Sequence, residues 1–588
     1  MPYWNRRPSS RLLEQDIILP FLLALLLAAP ALAQQGRSET RLDDPGLANS
    51  ADGIDLATKA DGDLWVAMWT DERGASTSDD DVFISVSTDG GTYWRREQQV
   101  TDLASSSFDV DDAWLEVDDG TIYISYDDDS VTGQSTAKVL YSTDLGATWT
   151  TITYANDFDN PRIYADGPNL LVLFLDGARS PSPLFADTSS TGPAGLNAGP
   201  VATISNPGAD ADIDGWDVDL VGGVAHVAFF DDALLAADDD LYYVNADIAG
   251  AGAWSAPLLV NSPMDVDTRP VIGTAGSRIH FMWAADDVPG ATSTTDDIVF
   301  YRYYDLGGAF GAEVTLSSLA DDVDYFDLGV EGQRLVMGWA DDSTLDDQPR
   351  ATWSLDGGAT LSTVILPQAA VGSLDAQRFG AAARGEYLFV AAVDDSWTGG
   401  AADQWPTFWY SRDDGTTWEG PFILGTGFDP DEDIDVEDQS WVFTDQGIGA
   451  AFHSDAGTAG PDEMLYSSIA FPYVTWDYVP GSLTLEHIGN PVSQAGLFAR
   501  WGVSTTAGSQ VHPENPSLTV QLGPSAAYNI TTSVPPVPPT TSVIGADGNA
   551  TLTLPAVLAP GTYYIQGWVN AGGLTAGGKA GDLLRVTI

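Results

Sequence analysis

Three arginines stand at matching places along the chain. Arg162, Arg269 and Arg378 each follow an apolar-Asp pair, Phe158-Asp159, Val266-Asp267 and Leu374-Asp375, by two or three residues. A guanidinium is a planar fork of donors, so three on one wall can clamp a carboxylate bidentately. Each can instead pair with the aspartates around it, and both readings stay open. A second chemistry is cation binding. Asp210, Asp212 and Asp214 alternate ahead of Gly215, and Asp429, Asp431, Asp433, Asp435 and Glu437 form a denser run. Such loops offer the roughly six to eight oxygens that Ca2+ takes. Val221 stands where an EF-hand would place its bidentate Glu, and capping of turns by Asx hydrogen bonds is the other reading. Further motifs fail on context. Lys579 in a Gly-rich stretch is followed by Ala580 rather than Ser or Thr, and His226, His280, His453, His487 and His512 lack zinc spacing. Trp397 and Trp405 could stack on sugars, or pack between sheets.

Those residues are positioned by a repeat. Apolar-Asp pairs ending in Asp55, Asp109, Asp159, Asp214, Asp267, Asp324, Asp375 and Asp435 recur at spacings of 50 to 60 residues. A second series closes apolar strands with Asp71, Asp127, Asp176, Asp231, Asp286, Asp341, Asp394 and Asp455, spaced by 49 to 61. Each unit reads as four short strands, rich in β-branched and aromatic residues and ended by Gly and Asp turns. A four-stranded unit of this length, repeated, predicts an all-β chain: an eight-bladed β-propeller, with seven blades as the alternative. The last unit lacks a fourth strand. Leu47-Ala48-Asn49-Ser50 resembles Leu259-Val260-Asn261-Ser262 and is expected to supply it, closing the ring. First strands begin and second strands end on one face, so both Asp series should decorate that face, as ligands or as solvated acid.

The turns between third and fourth strands carry a family resemblance. Ser142, Asp144, Gly146 and Trp149, and Ser411, Asp413, Gly415 and Trp418, fit the Asp-box of sialidase-type (BNR) repeats; Ser87, Asp89, Gly91 and Trp94 nearly do. Ser354, Asp356 and Gly358 keep the pattern, with Leu361 in place of Trp. Asp305 with Gly307, and Asp247 with Trp254, look like decayed copies. The resemblance covers residues 40–471 and implies a sialidase-like propeller whose boxes are structural. It also implies an arginine-lined pocket with a Tyr nucleophile, a Glu that activates it and an Asp acid/base. The chain departs from that pattern, since the Phe/Tyr-Arg-Ile-Pro motif before the first box is missing.

Residues 472–588 lose the Asp density, alternate like a β-sandwich and contain a Pro-rich segment at 534–539. A C-terminal immunoglobulin-like accessory domain is expected there. Residues 1–33 read as a signal peptide, with Arg6, Arg7 and Arg11 before an apolar run over 17–29 and small residues at 31–33. The propeller then covers 34–471. The 588 residues carry 85 acidic against 23 basic side chains, a net charge of −62, and no cysteine. That field excludes nucleic acid and disfavours anionic membranes, and export without disulfides suits a bacterial, extracytoplasmic protein. The sequence therefore predicts a secreted or surface-associated module that binds a glycan or an extracellular protein, with no membrane span in the mature chain. An exo-α-sialidase or related glycoside hydrolase is the alternative. Ca2+ is the one cofactor expected.

Overall fold

The computed structural model describes most of residues 40–470 and, beyond them, the strands as far as 587. Outside the description lie 1–39, 44–55, 72–79, 102–109, 177–181, 198–200, 206–212, 262–265, 287–296, 319–322, 342–347, 368–375, 395–404, 425–433, 436–439 and 455–462, with scattered single and paired positions and the segments between the C-terminal strands. The signal peptide, the Leu47–Ser50 stretch as 47–50, Trp397, and the cation candidates Asp210, Asp212, Asp214, Asp429, Asp431, Asp433 and Glu437 therefore lie outside the described residues. Asp435 is placed only as backbone, in the short strand Ile434–Asp435.

Among the described residues every element is a strand except one 3-10 turn, Pro193–Gly195. Unit one pairs Ala57–Asp61, Leu64–Asp71, Asp81–Ser87 and Gln98–Gln99 in order, all antiparallel. The fourth strand is shorter than its apolar pattern suggests, held beyond its ends by the Ser87–Trp94 bridge. Leu64–Asp71 is buried at every position, because both sheet faces are covered; such a strand reads as a continuous apolar run rather than an alternation. Units four to seven repeat this order, from Trp216–Val221, Val271–Ala275, Phe326–Glu331 and Ala376–Arg384 outward. Units two and three share one strand, Thr150–Asp166. Its first half pairs with Gln134–Ser142 and its second half with Asn169–Asp176.

The last unit pairs Trp441–Thr444 with Gly447–Ser454, then Glu463–Ala470, and its fourth strand comes from the N-terminal side of the chain. Thr40 and Arg41 pair with Tyr466 and Leu465, upstream of the expected 47–50. The inner strands touch in cyclic order: Ala57–Asp61, Val110–Asp118, Thr150–Asp166, Trp216–Val221, Val271–Ala275, Phe326–Glu331, Ala376–Arg384, Trp441–Thr444, and back to Ala57–Asp61. A closed cycle of four-stranded antiparallel sheets is the arrangement of a β-propeller. Apolar clusters lie between neighbouring sheets. The closing one joins Trp65, Trp69 and Phe83 to Val442, Met464 and Tyr466.

The four Ser-x-Asp-x-Gly turns expected to be Asp-boxes share one hydrogen-bond pattern. Ser142 Oγ donates to Asp144 Oδ1 at 2.9 Å and accepts from Gly146 N at 2.9 Å, while Asp144 Oδ1 accepts from Thr148 N at 2.8 Å. Ser87, Ser354 and Ser411 repeat it with Asp89, Asp356 and Asp413. The accepted bonds hold the Asp144 and Asp356 carboxyls below the usual carboxylate range, led by Thr148 and Thr360 respectively. The box glycines also seat each unit on the one before: Gly91 lies over Tyr466, Gly358 over Tyr301 and Gly415 over Trp353. Trp94 and Trp418 pack with the same partners, Tyr466 and Trp353. The Asp247 turn keeps only the carboxylate, which accepts from Gly250 N at 2.7 Å.

The strand-ending aspartates correct an expectation. Asp71, Asp127, Asp176, Asp231, Asp341 and Asp394 are buried rather than spread as solvated acid. They turn into the sheet ends, where polar partners are within reach; Arg350 forms an ion pair with Asp341, and Lys138 with neighbouring Asp128.

A further stitch runs from unit to unit. Asp61 Oδ2 accepts from Gly120 N at 3.2 Å, Asp118 from Gly167 N, and Asp166 from Gly223 N at 2.6 Å. Each links the first turn of one unit to that of the next. A charge-assisted hydrogen bond contributes about 1.5–3 kcal/mol before screening at a half-exposed site. Asp166→Ala should therefore lower stability by about 1–2 kcal/mol in urea unfolding, and Asp166→Asn by about half as much. Equal midpoints for all three chains would remove the stitch from the account.

Beyond residue 472 the strands form separate antiparallel sheets. Tyr473–Val479, Ser482–Ile488 and Ala550–Leu554 make one, and Phe498–Ser504, Thr562–Asn570 and Ala580–Thr587 the body of another.

Candidate functional site

An inner strand has one edge paired within its sheet and one facing the axis, where its N–H groups need other acceptors. Carboxylates of the preceding unit supply them. Asp217 Oδ2 accepts from Ile272 N at 2.9 Å, Asp219 Oδ2 from Thr274 N at 2.6 Å, and Asp327 Oδ2 from Ala381 N at 2.6 Å. The i, i+2 spacing of Asp217 and Asp219 matches that of the two N–H groups pointing to the free edge.

Into this acidic frame the strand Thr150–Asp166 delivers Arg162 and Tyr164. A bulge opposite Leu173 and Leu175 contains Asn160, at φ 49°, and Pro161, and so aims the residues that follow. Matching bulges carry Asp112 at φ 53° in unit two and Arg378 at φ 51° in unit seven. Non-glycine residues held in this region are uncommon and strained.

The Arg162 guanidinium lies between two indoles, its Cζ 4.8 Å from the Trp114 ring centroid and 4.7 Å from that of Trp216. Its Nε donates to Asn160 Oδ1 at 3.1 Å. Its Nη1 is buried without a partner among the described residues, as are Tyr164 Oη, Trp114 Nε1, Trp216 Nε1 and Asp159 Oδ1. Tyr164 is only 6% exposed and packs on Trp114 with centroids 5.4 Å apart. Buried polar atoms are ordinarily satisfied, so the leftover donors of Arg162 and Tyr164 are available to a polar occupant or ordered water.

The electrostatics are mixed. Burial pushes the Arg162 pKa down; Tyr164 opposes this and Arg269, of like charge, adds to it. The guanidinium still remains charged at neutral pH. Burial raises the Tyr164 phenol above its usual range, against the opposing pull of Arg162, so the hydroxyl is a donor rather than a phenolate. Burial also raises Glu116, opposed by Lys59 at 4.0 Å, and Asp219, opposed by its bonds to Thr274. Asp327 is pushed up to about 7 by burial, against its bonds from Ala381 and Leu328, with Asp217 adding to the rise.

Of the three arginines, the structure brings Arg162 and Arg269 into mutual influence. Arg378 packs its Cζ 5.1 Å from the Tyr325 ring, and its carbonyl accepts from Trp441 Nε1 at 2.9 Å. Trp405 begins the third strand of unit seven. Trp114, Glu116, Tyr164, Trp216, Asp217, Asp219 and Asp327 escaped the sequence reading. Their signal was present: polar or aromatic residues two apart on strands otherwise placed in a core, as in Trp114/Glu116, Arg162/Tyr164 and Asp217/Asp219. Among the described residues no group of three or more His, Cys, Asp or Glu is placed to hold a metal, and no helix is long and apolar enough to cross a membrane.

No family model matches this chain, and no curated protein does. Solved structures give low likenesses. An ulvan lyase, a polysaccharide lyase, has a TM-score of 0.39 at 12% identity, covering 60% of this chain and 93% of its own. The phage phi92 endosialidase has a TM-score of 0.34 at 11% identity, over 82% and 73%. An α-L-arabinofuranosidase of Fusarium graminearum has 0.33 at 14%, over 56% and 98%. Likenesses this low assign no activity to the chain.

Proposed function

We propose that the chain is an exported, eight-bladed, sialidase-like propeller that binds an anionic glycan at its axis, with 472–588 as an immunoglobulin-like accessory domain. The observation that carries this reading is the Arg162 guanidinium, clamped between Trp114 and Trp216 with a buried donor left over beside the Tyr164 hydroxyl, neither partnered among the described residues. Arg269 adds positive charge, and Arg378 is proposed as a third contact. The two buried indoles hold the guanidinium in place, and guanidinium and phenol donors suit a sugar carboxylate. The net charge of −62 opposes approach of an anion at low salt. At about 1 M salt the Debye length falls to about 3 Å, so affinity should rise with salt until the local contacts are screened as well.

A hydrolase is the second reading, favoured by Asp327 and Glu116, carboxyls whose pKa burial raises, that of Asp327 to about 7. Against it stands the raised Tyr164 phenol, the reverse of an activated nucleophile. A fluorogenic sialoside panel with the purified chain separates the two. Binding without turnover is expected; turnover that disappears in Arg269→Ala would replace the binding reading with the enzyme.

The acidic runs at 210–214 and 429–437 are proposed Ca2+ sites. A ligand present at about 100 times its Kd adds about 2.7 kcal/mol to unfolding, so melts in Ca2+ and in chelator should differ by several degrees. Superimposable melts at constant ionic strength would remove the metal.

A further inference from the structure

A cleft of about 440 Å3 opens on the outer strands where units three and four meet, away from the axial arginines. Strand Leu184–Ser189 contributes Asp187 and Thr188, strand Ala202–Thr203 contributes Thr203, and the turn after Asp238–Asp247 contributes Trp254. Its size falls within the roughly 300–1,000 Å3 of small-molecule sites.

The carboxylate in this cleft is fixed in place. Asp187 Oδ2 accepts from Tyr154 Oη at 2.8 Å and from Asn197 N at 2.5 Å. Tyr154 is itself fully buried, and Asn197 sits at φ 53°, so both donors are held by the fold. Oδ1 accepts nothing from the described residues. The rest of the lining is Thr hydroxyls, small residues and the half-buried indole of Trp254. Among the described residues no lysine, arginine or histidine lines it, which disfavours an anion. One carboxylate falls short of the ligand set a Ca2+ ion needs. What remains is a ligand rich in hydroxyl donors, with an apolar face for the indole.

We propose that this cleft is a second carbohydrate site, for a neutral oligosaccharide. Asp187 accepts from adjacent sugar hydroxyls, Thr188 and Thr203 complete the polar contacts, and Trp254 stacks on the C–H face of a ring. The ligand class differs from that of the axial site, and the two stand or fall separately.

The test is saturation-transfer NMR on the whole chain with neutral cello-, xylo-, manno- and galacto-oligosaccharides. Wild type and Arg162→Gln should bind one of these alike. Trp254→Ala should bind at least tenfold more weakly. Thr203→Arg, which fills the cleft from an exposed position, should do the same even if Trp254→Ala fails to fold. No binding by wild type, undiminished binding by Thr203→Arg, or loss of binding in Arg162→Gln would each overturn the proposal.

Discussion

Acidification from pH 7 to pH 4 should destabilise the ring through two buried histidines. His226 Nδ1 shares a hydrogen bond with Tyr243 Oη at 2.7 Å, and His280 Nδ1 with Tyr301 Oη at 2.8 Å. His280 is fully buried and its Nε2 has no partner among the described residues. Burial lowers both pKa values from 6.5 to about 4, with Arg278 lowering His280 further and Asp305 opposing. The unfolded chain thus binds more protons between pH 6.5 and 4, and stability present above 6.5 is lost as pH falls through that window. One pKa unit corresponds to about 1.4 kcal/mol, so each histidine accounts for on the order of 3 kcal/mol at most. Asp327 acts with the opposite sign. Raised from 3.8 to about 7, it binds a proton preferentially in the folded state and contributes stability that is lost as pH rises towards 7. The histidine share is isolated by comparison with the double variant His226→Gln/His280→Gln. Its unfolding free energy should fall less steeply between pH 6.5 and 4 than that of wild type. Parallel curves would show that the histidines do not drive acid unfolding.

The second large effect is steric. Gly415 has φ +81°, and an added Cβ there would collide with the Trp353 indole of the preceding unit. Gly91 has φ +76°, and its Cβ would lie 2.7 Å from Tyr466 Oη. A left-handed backbone costs an alanine about 1–2 kcal/mol, and forcing atoms into a packed interface a further 1–3 kcal/mol. Gly62 separates the two contributions, since its φ is +58° but nothing among the described residues lies within 4 Å of the added atom. Gly415→Ala should therefore cost about 3 kcal/mol or more in chemical unfolding, against about 1 kcal/mol for Gly62→Ala. Similar costs at the two positions would mean that the box glycines serve only the turn and not the seating of one unit on the next.

That comparison also shows where the sequence was legible. Ser142, Asp144 and Gly146 revealed the turn, because the turn is local: four residues satisfy one another's hydrogen bonds. Tyr301 beneath Gly358 was not legible, since the contact depends on how neighbouring sheets stack. The strand repeat was readable from the period of Asp127, Asp176 and Asp231, but their burial was not; the spacing of an Asp does not reveal whether its side chain turns in or out. At the axis, Arg162 and Arg269 stood out by charge in an acidic chain. Trp114 and Trp216 did not, because an aromatic residue on a buried strand reads as core until the ring closes and sets it against a guanidinium. Asp217 and Asp327 were lost among many aspartates, and only the free edges of the inner strands explain their place.

The central claim is that Arg162 and Tyr164 hold an anionic sugar at the axis. Isothermal titration of the whole chain with N-acetylneuraminate, glucuronate and glucose tests it most directly, at a salt concentration high enough to screen the net charge. An acidic sugar should bind in a way that depends on Arg162, whereas any heat from glucose, a neutral sugar, should be the same in wild type and Arg162→Gln. Arg162→Gln should weaken binding at least tenfold through loss of a charge-assisted contact, and Tyr164→Phe severalfold through loss of one neutral donor. Glucose binding that is lost in Arg162→Gln, or an Arg162→Gln chain that binds the acidic sugar as wild type does, would contradict it.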